Sequence, residues 1–396
     1  MNKLIKSVFI VFLFLLFLNP KISFAQNSYV SVVNPIRGSD FWNINQSIDT
    51  VVLGQLEILK KYNLSATWLI RPDALGERSI PDKLNLSDEK GLFLEITPSW
   101  TKLASVAYRQ SESWHYAKSA LLTGYERFER EKLIDSAFER FKQVFSYYPK
   151  SVGAWWIDAY SLSYMQKKYS ITSALIVSDQ YSTDNYQIWG QYFSTPYYPS
   201  VANALIPAQN IEHKIPIVMM QWAPRDPLNA YGNGVIESTY SLQANDYLDY
   251  HQLDTNYFLK LINLYSKQPL NKFSQLVVGL ENSYDWKKYD KEYENQIQTL
   301  SKLKQSKEIK ISTMDEFSSW YKLNFPNLSP EQIIVADDPL GSYKKVVWFM
   351  NPYYRAGWFL NQDGSVFRDI RQYIGGSEEL CFQLRCDSVN FATSAT

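Results

Sequence analysis

Short runs of β-branched and aromatic residues alternate with longer amphipathic segments through most of the chain, and this alternation limits the possible folds most strongly. The runs predict seven strands, at 29–34, 65–70, 91–96, 152–157, 172–177, 215–220 and 275–280, and a short eighth strand at 308–311. Helical patterns fill the intervals, which is typical of βα units around a parallel sheet. Seven or eight units in about 300 residues predict an α/β fold with one TIM-like (β/α)7-8 barrel at 26–330; a doubly wound open sheet is the alternative.

The pattern changes near residue 330. Runs at 344–350, 357–360 and 365–370 read as strands, and residues 361–364 (NQDG) favour a turn between the last two. We therefore predict a β-rich C-terminal segment at 331–396, which could be the start of a further domain. Its two cysteines, Cys381 and Cys386, suit a small disulfide-bonded hairpin, with free thiols as the alternative. Two cysteines are too few for a structural zinc site.

The first 25 residues predict a secretory signal peptide. Lys3 and Lys6 precede an unbroken apolar run at 8–18, and small residues at 23 and 25 suit cleavage before residue 26. The run is short for a membrane span, which needs about 20 apolar residues. We expect a secreted or cell-surface protein. The alternative is an uncleaved anchor, which would be the chain's only contact with a membrane.

Charge and motifs exclude several classes of function. The chain has 40 Lys and Arg against 40 Asp and Glu, without the basic excess of a nucleic-acid-binding protein. No G-x-G-x-x-G follows the first strand, so neither a dinucleotide nor another cofactor is predicted. The three histidines form no H-x-x-x-H or H-x-H pair, which leaves no zinc ligand set and no predicted metal site. No G-x-S-x-G elbow is present, which argues against an α/β-hydrolase.

The candidate site residues follow the predicted strands, because function in such barrels lies at the C-terminal ends of the strands. Carboxylates interleaved with tryptophans suit a sugar, since rings stack on its C–H faces and charged groups bind its hydroxyls. Glu95 and Glu281 directly follow apolar runs, where a charge without a partner is costly. Asp158 is either a site acid or the cap of the next helix. The predicted substrate-binding residues are Arg37, Asp40, Trp42, Trp100, Trp156, Trp222, Arg225, Asp226 and Asn282. Arg225 and Asp226 could instead form a surface ion pair.

Residues 28–325 resemble the glycoside hydrolase/deacetylase barrel superfamily, which includes polysaccharide deacetylases and family-57 glycoside hydrolases. Residues 64–70 (LSATWLI) are similar to the deacetylase stretch K-A-T-F-F that follows a helix. Residues 153–158 (GAWWID) are similar to the glycosidase motif G-x-W-L-P-E, and the resemblance implies that Asp158 is the nucleophile. Residues 280–286 (LENSYDW) look like the glycosidase motif D-A-E-x-x-G-H-W, with Glu281 at its third position.

The sequence departs from these motifs at three positions. The catalytic Asp of the last motif falls on Gly279. The deacetylase metal motif H-[ST]-x-x-H should follow the third strand, where residues 95–100 read EITPSW. The paired aspartates expected after the first strand are replaced by residues 34–40 (NPIRGSD). These departures argue against metal-dependent deacetylation.

We therefore expect an exported carbohydrate-active protein that acts on a polysaccharide or cell-surface glycan. The leading hypothesis is a metal-independent glycosidase with paired carboxylates, in which Asp158 is the nucleophile and Glu281 or Glu95 the acid. The alternative is a non-catalytic protein that keeps the barrel as a glycan-binding or surface-scaffold module. A third hypothesis is a deacetylase with an unusual metal site.

Overall fold

The computed structural model describes residues 27–77, 80–85, 87–183, 186–230, 239–387 and 390–393. The predicted signal peptide at 1–25 lies outside these ranges. Within them, no helix combines the length and the apolar character that a membrane crossing requires.

A closed parallel barrel forms the centre of the fold. In chain order the strands are β1 (Asn27–Ile36), β2 (Thr67–Ile70), β3 (Glu89–Phe93), β4 (Ser151–Gly153), β5 (Ser173–Val177), β6 (Gln180–Thr183), β7 (Tyr186–Trp189), β8 (Val218–Trp222), β9 (Phe273–Val278), β10 (Lys310–Ile311), β11 (Gln332–Asp337), β12 (Lys345–Met350), β13 (Tyr354–Asn361), β14 (Gly364–Gln372) and β15 (Asn390–Ala392). The central sheet has the order β10-β1-β2-β3-β4-β5-β8-β9, and a further pairing of β1 with β9 closes seven of these strands into a ring. The predicted barrel is confirmed, and the open-sheet alternative is wrong.

The length of β1 explains how the ring closes. Its first part, residues 27–32, pairs with β9, while residues 33–36 pair with β2. Just after β9 the backbone passes so close to β1 that a Cβ atom on Gly279 would lie 1.7 Å from the carbonyl oxygen of Val33. A glycine is therefore required where the two ends of the sheet meet.

Helices cover the outside of the barrel between the strands. The longer ones are Asp49–Tyr62, Arg127–Phe145, Ala159–Tyr169, Thr255–Ser266, Trp286–Gln305 and Met314–Asn324, and shorter ones are Pro98–Leu103, Ala117–Ala120 and Ala244–Asp246. Each longer helix buries an apolar stripe against the strands, as βα units require. The helices cover the sides of the barrel, so a site can form in the loops at the C-terminal ends of the strands.

The C-terminal sheet consists of β11, β12, β13 and β14 in antiparallel order, and the predicted turn at 361–364 joins β13 to β14. This sheet packs against the barrel loops. The ring of Trp348 stacks on Phe193 at 4.4 Å between centroids. Cys381 and Cys386 are joined in a disulfide, the pairing predicted from their spacing.

A buried arginine connects the C-terminal sheet to the barrel. Arg355 on β13 donates to the Asp179 carboxylate, which follows β5, at 2.6 Å, and also to the carboxylate of Asp369 on β14. It donates further to the backbone carbonyl of Gln191 at 2.5 Å. All three charged side chains are almost completely buried. Because water does not reach these charges, each is stabilised by the oppositely charged groups beside it.

Candidate site at the mouth of the barrel

Arg37 is at the centre of the charged residues at the C-terminal ends of the strands. It follows β1, and its Nε and Nη2 atoms donate to the two carboxylate oxygens of Glu95, both at 2.8 Å. Its Nη1 atom donates to the carboxylate of Glu281 and to the hydroxyl of Ser283. One guanidinium group therefore bridges the carboxylates that follow β3 and β9.

Glu95 is saturated with donors. Besides the two bonds from Arg37, it accepts one from Arg71 Nη1 at 2.7 Å and one from Trp155 Nε1 at 3.0 Å. The residue is only 1% exposed. Burial alone would raise the pKa of Glu95, but the charges and hydrogen bonds of Arg37 and Arg71 outweigh burial and lower it to about 2. Glu95 is therefore ionised at neutral pH and cannot serve there as a general acid. We refer to Arg37, Arg71, Glu95 and Glu281 as the Arg37 cluster.

Asn282 fixes the backbone that carries Arg37. Its side-chain oxygen accepts from the backbone N–H of Arg37 at 2.8 Å, and its amide nitrogen donates to the Arg37 carbonyl at 2.9 Å. This reciprocal pair ties the end of β1 to the end of β9. The burial of Arg37 would lower its pKa, but Glu281 and Glu95 raise it above its ordinary value, so the bridging arginine remains charged.

The turn after Arg37 is held from both sides. Asp73 accepts from the backbone N–H groups of Gly38 and Asp40 at 3.4 and 3.1 Å, and Arg71 donates to the Asp40 carbonyl at 2.7 Å. On the other side, the Asp40 carboxylate accepts from the N–H of Ser99 at 2.9 Å. Burial would raise the pKa of Asp40, but its hydrogen bonds with Ser99 lower it. These contacts hold the next residue, Phe41, at a φ of 62°, a conformation that is rare for an aromatic residue.

Aromatic rings surround the Arg37 guanidinium. Its central carbon lies 5.3 Å from the ring centroid of Trp114 and 5.8 Å from those of Phe93 and Trp155, distances that allow cation–π attraction. A cavity of about 130 Å³, which we call the inner cavity, opens beside them. It is lined by Arg37, Asp40, Phe41, Trp42, Asn43, Ile44, Arg71, Trp114 and Ser283.

Asp158 occupies the helix-cap position that the sequence left open. It is the N-cap of the helix Ala159–Tyr169, accepts from the N–H and hydroxyl of Ser161 at 3.0 and 2.7 Å, and pairs with Arg130 at 3.1 Å. It is completely buried. Both carboxylate oxygens are engaged, so this geometry does not support the nucleophile role that the resemblance implied. The predicted strand extended to residue 157, whereas β4 ends at Gly153, so Asp158 begins a helix.

The other predicted substrate-binding residues divide into two groups. Trp42 lines the inner cavity. Trp222 is buried and makes an edge contact with Trp155, with 6.1 Å between ring centroids. The remaining ones are buried away from that cavity. Trp100 donates to the Leu133 carbonyl, the Nε atom of Arg225 donates to the carbonyl of Asp179, and Asp226 accepts from Tyr257; Trp156 belongs to the hydrophobic core. Arg225 and Asp226 are therefore not a surface ion pair.

Several residues of this site were not predicted. Arg71 and Asp73 follow β2 as Arg-x-Asp, a signal visible in the sequence, whereas Phe41 and Trp114 lie in loops without periodicity. Asp246 is a further unpredicted acid, in the helix Ala244–Asp246. Burial raises its pKa to about 7, although Arg225 acts in the opposite direction. The negative charge of Glu281 adds to this rise.

The site does not fit a metal ion of the kind that deacetylation would need. Where the deacetylase motif would place histidines, the chain has Glu95 already bound by two guanidinium groups. Positive charges at this position repel a cation. Across the described residues, no three His, Cys, Asp or Glu side chains are grouped so that they could hold a metal.

Comparison with solved structures identifies the fold. A crystal structure of a candidate glycoside hydrolase/deacetylase from Parabacteroides distasonis superposes with a TM-score of 0.67 at 16% identity, covering 93% of this chain and 90% of that one. Candidate polysaccharide deacetylases from Mycobacterium smegmatis and Pseudomonas aeruginosa each give a TM-score of 0.44 at 10% identity. They cover 78% and 76% of this chain and 94% and 93% of their own. The first of these matches shows that the chain shares the barrel fold of the P. distasonis protein, the fold that the sequence resemblance implied.

Sequence comparisons give the family. No curated protein matches the chain. Residues 116–331, more than half of the chain, match the model of a family described as a domain of unknown function with a solved structure (DUF3863), and the chain therefore belongs to that family.

Proposed function

We propose that this chain is a carbohydrate-binding protein that holds a polysaccharide or cell-surface glycan at the mouth of the barrel, over Arg37. The observation that carries the proposal is the placement of one charged, ring-enclosed guanidinium beside an open cavity. Aromatic walls offer apolar surface, while Arg37, Asp40 and Ser283 offer donors and acceptors for hydroxyl groups. The similarly folded P. distasonis protein, described as a candidate glycoside hydrolase/deacetylase, supports the same ligand class.

The carboxylates favour binding over hydrolysis by paired carboxylates. A glycosidase of that type needs one acid with a raised pKa and a second carboxylate that can reach the sugar or a water. Glu95 has a lowered pKa and four donors, and Asp158 caps a helix. Among the described residues that line the inner cavity, Asp40 is the only carboxylate, and its pKa is also lowered.

A second candidate is glycoside hydrolysis by Glu281 and Asp246, and one observation favours it. Asp246 has a pKa of about 7, so it is partly protonated at neutral pH, and it lies within electrostatic reach of Glu281. A raised pKa of this kind is one property of a general acid. If hydrolysis occurs, Asp246→Asn should reduce the release of reducing ends from an oligosaccharide by about 100-fold or more. Hydrolysis that the wild type performs and the variant retains would exclude Asp246 as the acid.

The binding proposal predicts that Arg37→Lys weakens glycan binding by about tenfold or more, because lysine keeps the charge but loses the planar, multidentate geometry. The measurement is isothermal titration calorimetry with oligosaccharides of N-acetylglucosamine and of xylose. Arg385→Lys is the matched control, since Arg385 also pairs with a glutamate but is half exposed and lies outside the site. A variant at position 37 that binds as tightly as wild type, or a wild type that binds no glycan, would contradict the proposal.

We also propose export through the predicted signal peptide, which would place the glycan outside the cytoplasm. Cell fractionation with an antibody against the chain tests this directly. Recovery of the protein in the cytoplasmic fraction alone would contradict export.

A further inference from the structure

A second, larger depression adjoins the inner cavity, and we call it the outer groove. It has a volume of about 560 Å³ and is lined by Phe41, Pro98, Tyr108, Gln110, Ser111, Glu112, Ser113 and Trp114. Phe41 and Trp114 also line the inner cavity. The two spaces therefore share one aromatic wall.

The shared wall is a stacked pair of rings. Phe41 and Trp114 lie 5.3 Å apart between centroids with an interplanar angle of 11°. A second aromatic neighbour of Phe41 is Tyr108, whose ring centroid is 6.2 Å away. Asp73 and Ser99 hold the turn before Phe41, and Phe41 itself has a φ of 62°, a rare conformation for an aromatic residue. Such strain is retained where the surrounding structure over-determines it, often at ligand sites.

The outer groove is also coupled to the charges of the site. Burial raises the pKa of the Tyr108 hydroxyl, and the negative charges of Asp40 and Glu95 contribute to that rise. The groove therefore begins within electrostatic reach of the Arg37 cluster. Its lining combines aromatic side chains with polar groups, namely the amide of Gln110, the hydroxyls of Ser111 and Ser113, and the carboxylate of Glu112.

Size separates the roles of the two spaces. Ligand pockets commonly have volumes of about 300–1,000 Å³. The inner cavity, at about 130 Å³, lies below this range, whereas the outer groove lies within it. A ligand held by the Arg37 cluster alone would therefore be small, and most of the available binding surface would be unused.

We propose that the outer groove is a second subsite that binds the neighbouring units of a glycan chain, so that the ligand is an oligosaccharide rather than a free monosaccharide. The inference rests on the proposed binding function. The units beyond the one over Arg37 pack against the aromatic wall that Phe41, Trp114 and Tyr108 form. The polar groups along the groove bind their hydroxyls.

The test is the dependence of affinity on chain length. Wild-type protein is titrated calorimetrically with mono-, di-, tetra- and hexasaccharides of N-acetylglucosamine and of xylose. We expect affinity to rise with length, and Tyr108→Ala, which changes a residue of the outer groove alone, to lower hexasaccharide affinity by about tenfold while changing monosaccharide affinity little. Gln110→Ala, at another residue that lines only the outer groove, should act in the same direction and serves as the second variant if the first does not fold. The matched control is Trp358→Ala, because Trp358 lies on the C-terminal sheet and is 39% exposed.

The outcomes separate this inference from the function on which it rests. Suppose that glycans bind and that Arg37→Lys weakens their binding, but that affinity does not depend on chain length. The outer subsite is then overturned and the binding function stands. The subsite is also overturned if both groove variants keep the full gain with length. If the wild type binds no glycan of any length, the binding function fails and the subsite fails with it.

Discussion

Replacing Glu95 by glutamine should lower the free energy of unfolding by about 3–5 kcal/mol, one of the two largest effects that we expect from a single substitution. Glutamine has nearly the same shape but no charge, so Arg37 and Arg71 would lose the carboxylate that both contact at 2.7–2.8 Å. Glu281 and Asp73 would remain as their only ion-pair partners among the described residues. The measurement is the urea midpoint at neutral pH, compared at constant slope.

Asp337→Asn is the control for this substitution. Asp337 forms an ion pair with Lys345 at 2.9 Å, but both side chains are largely exposed. Its loss should change stability by about 1 kcal/mol at most. Equal small effects at positions 95 and 337 would mean that the Arg37 cluster does not contribute the stability that its burial implies.

The effect of Glu95→Gln should also shrink in acid. The folded pKa of Glu95 is about 2, below the value of about 4.3 expected in the unfolded chain. A lowered folded pKa adds stability above the unfolded pKa, and this stability is lost as the pH falls through the folded pKa. The free energy of unfolding should therefore differ most between wild type and variant near about pH 6, and the difference should be much smaller near about pH 2. A difference that does not change with pH would show that the charge of Glu95 is not its source.

Arg355→Met should destabilise the protein by a similar amount, about 3–5 kcal/mol, and should loosen the C-terminal sheet first. The substitution leaves the buried carboxylates of Asp179 and Asp369 without the cation that bridges them. Arg371 still pairs with Asp369 at 2.7 Å, so the loss of the bridging cation should affect the Asp179 carboxylate most. Limited proteolysis should cut within 331–387 before the barrel, and thermal denaturation should show the lower stability.

Arg368→Met is the control for this second substitution, because Arg368 lies on the neighbouring strand β14 and is exposed. It should leave both the proteolysis pattern and the melting temperature close to wild type. Unchanged protection of the C-terminal sheet in Arg355→Met would show that apolar contacts such as the Trp348–Phe193 stack hold the sheet without the ion pairs.

The barrel was predictable because its signals are local. Each apolar run is long enough to mark a strand, and the number of βα units restricts how the sheet can close. The ends of the strands were predicted less accurately, because the apolar run at 152–157 continues past the end of β4 at Gly153. That difference of a few residues places Asp158 at a helix start instead of at a strand end. A segment that resembles a nucleophile motif therefore forms a helix cap here.

The Arg37 cluster was predictable in part. Arg37, Glu95, Glu281 and Asn282 were identified because each follows a strand, and parallel strands bring such residues to the same end of a barrel. Their pairing was not predictable, since it depends on side-chain directions set by tertiary packing. The same limit applies to Asp246, whose pKa is raised mainly by burial, which depends on tertiary packing. Phe41 and Trp114 come together only through loops, which carry no periodic signal.

The most direct test of glycan binding at the barrel mouth is a crystal structure with the tightest-binding oligosaccharide from the titration panel. We predict that one sugar unit lies over Arg37 in the inner cavity, in contact with Ser283 and the ring of Trp114. Sugar density elsewhere on the protein, with the inner cavity unchanged, would contradict this account.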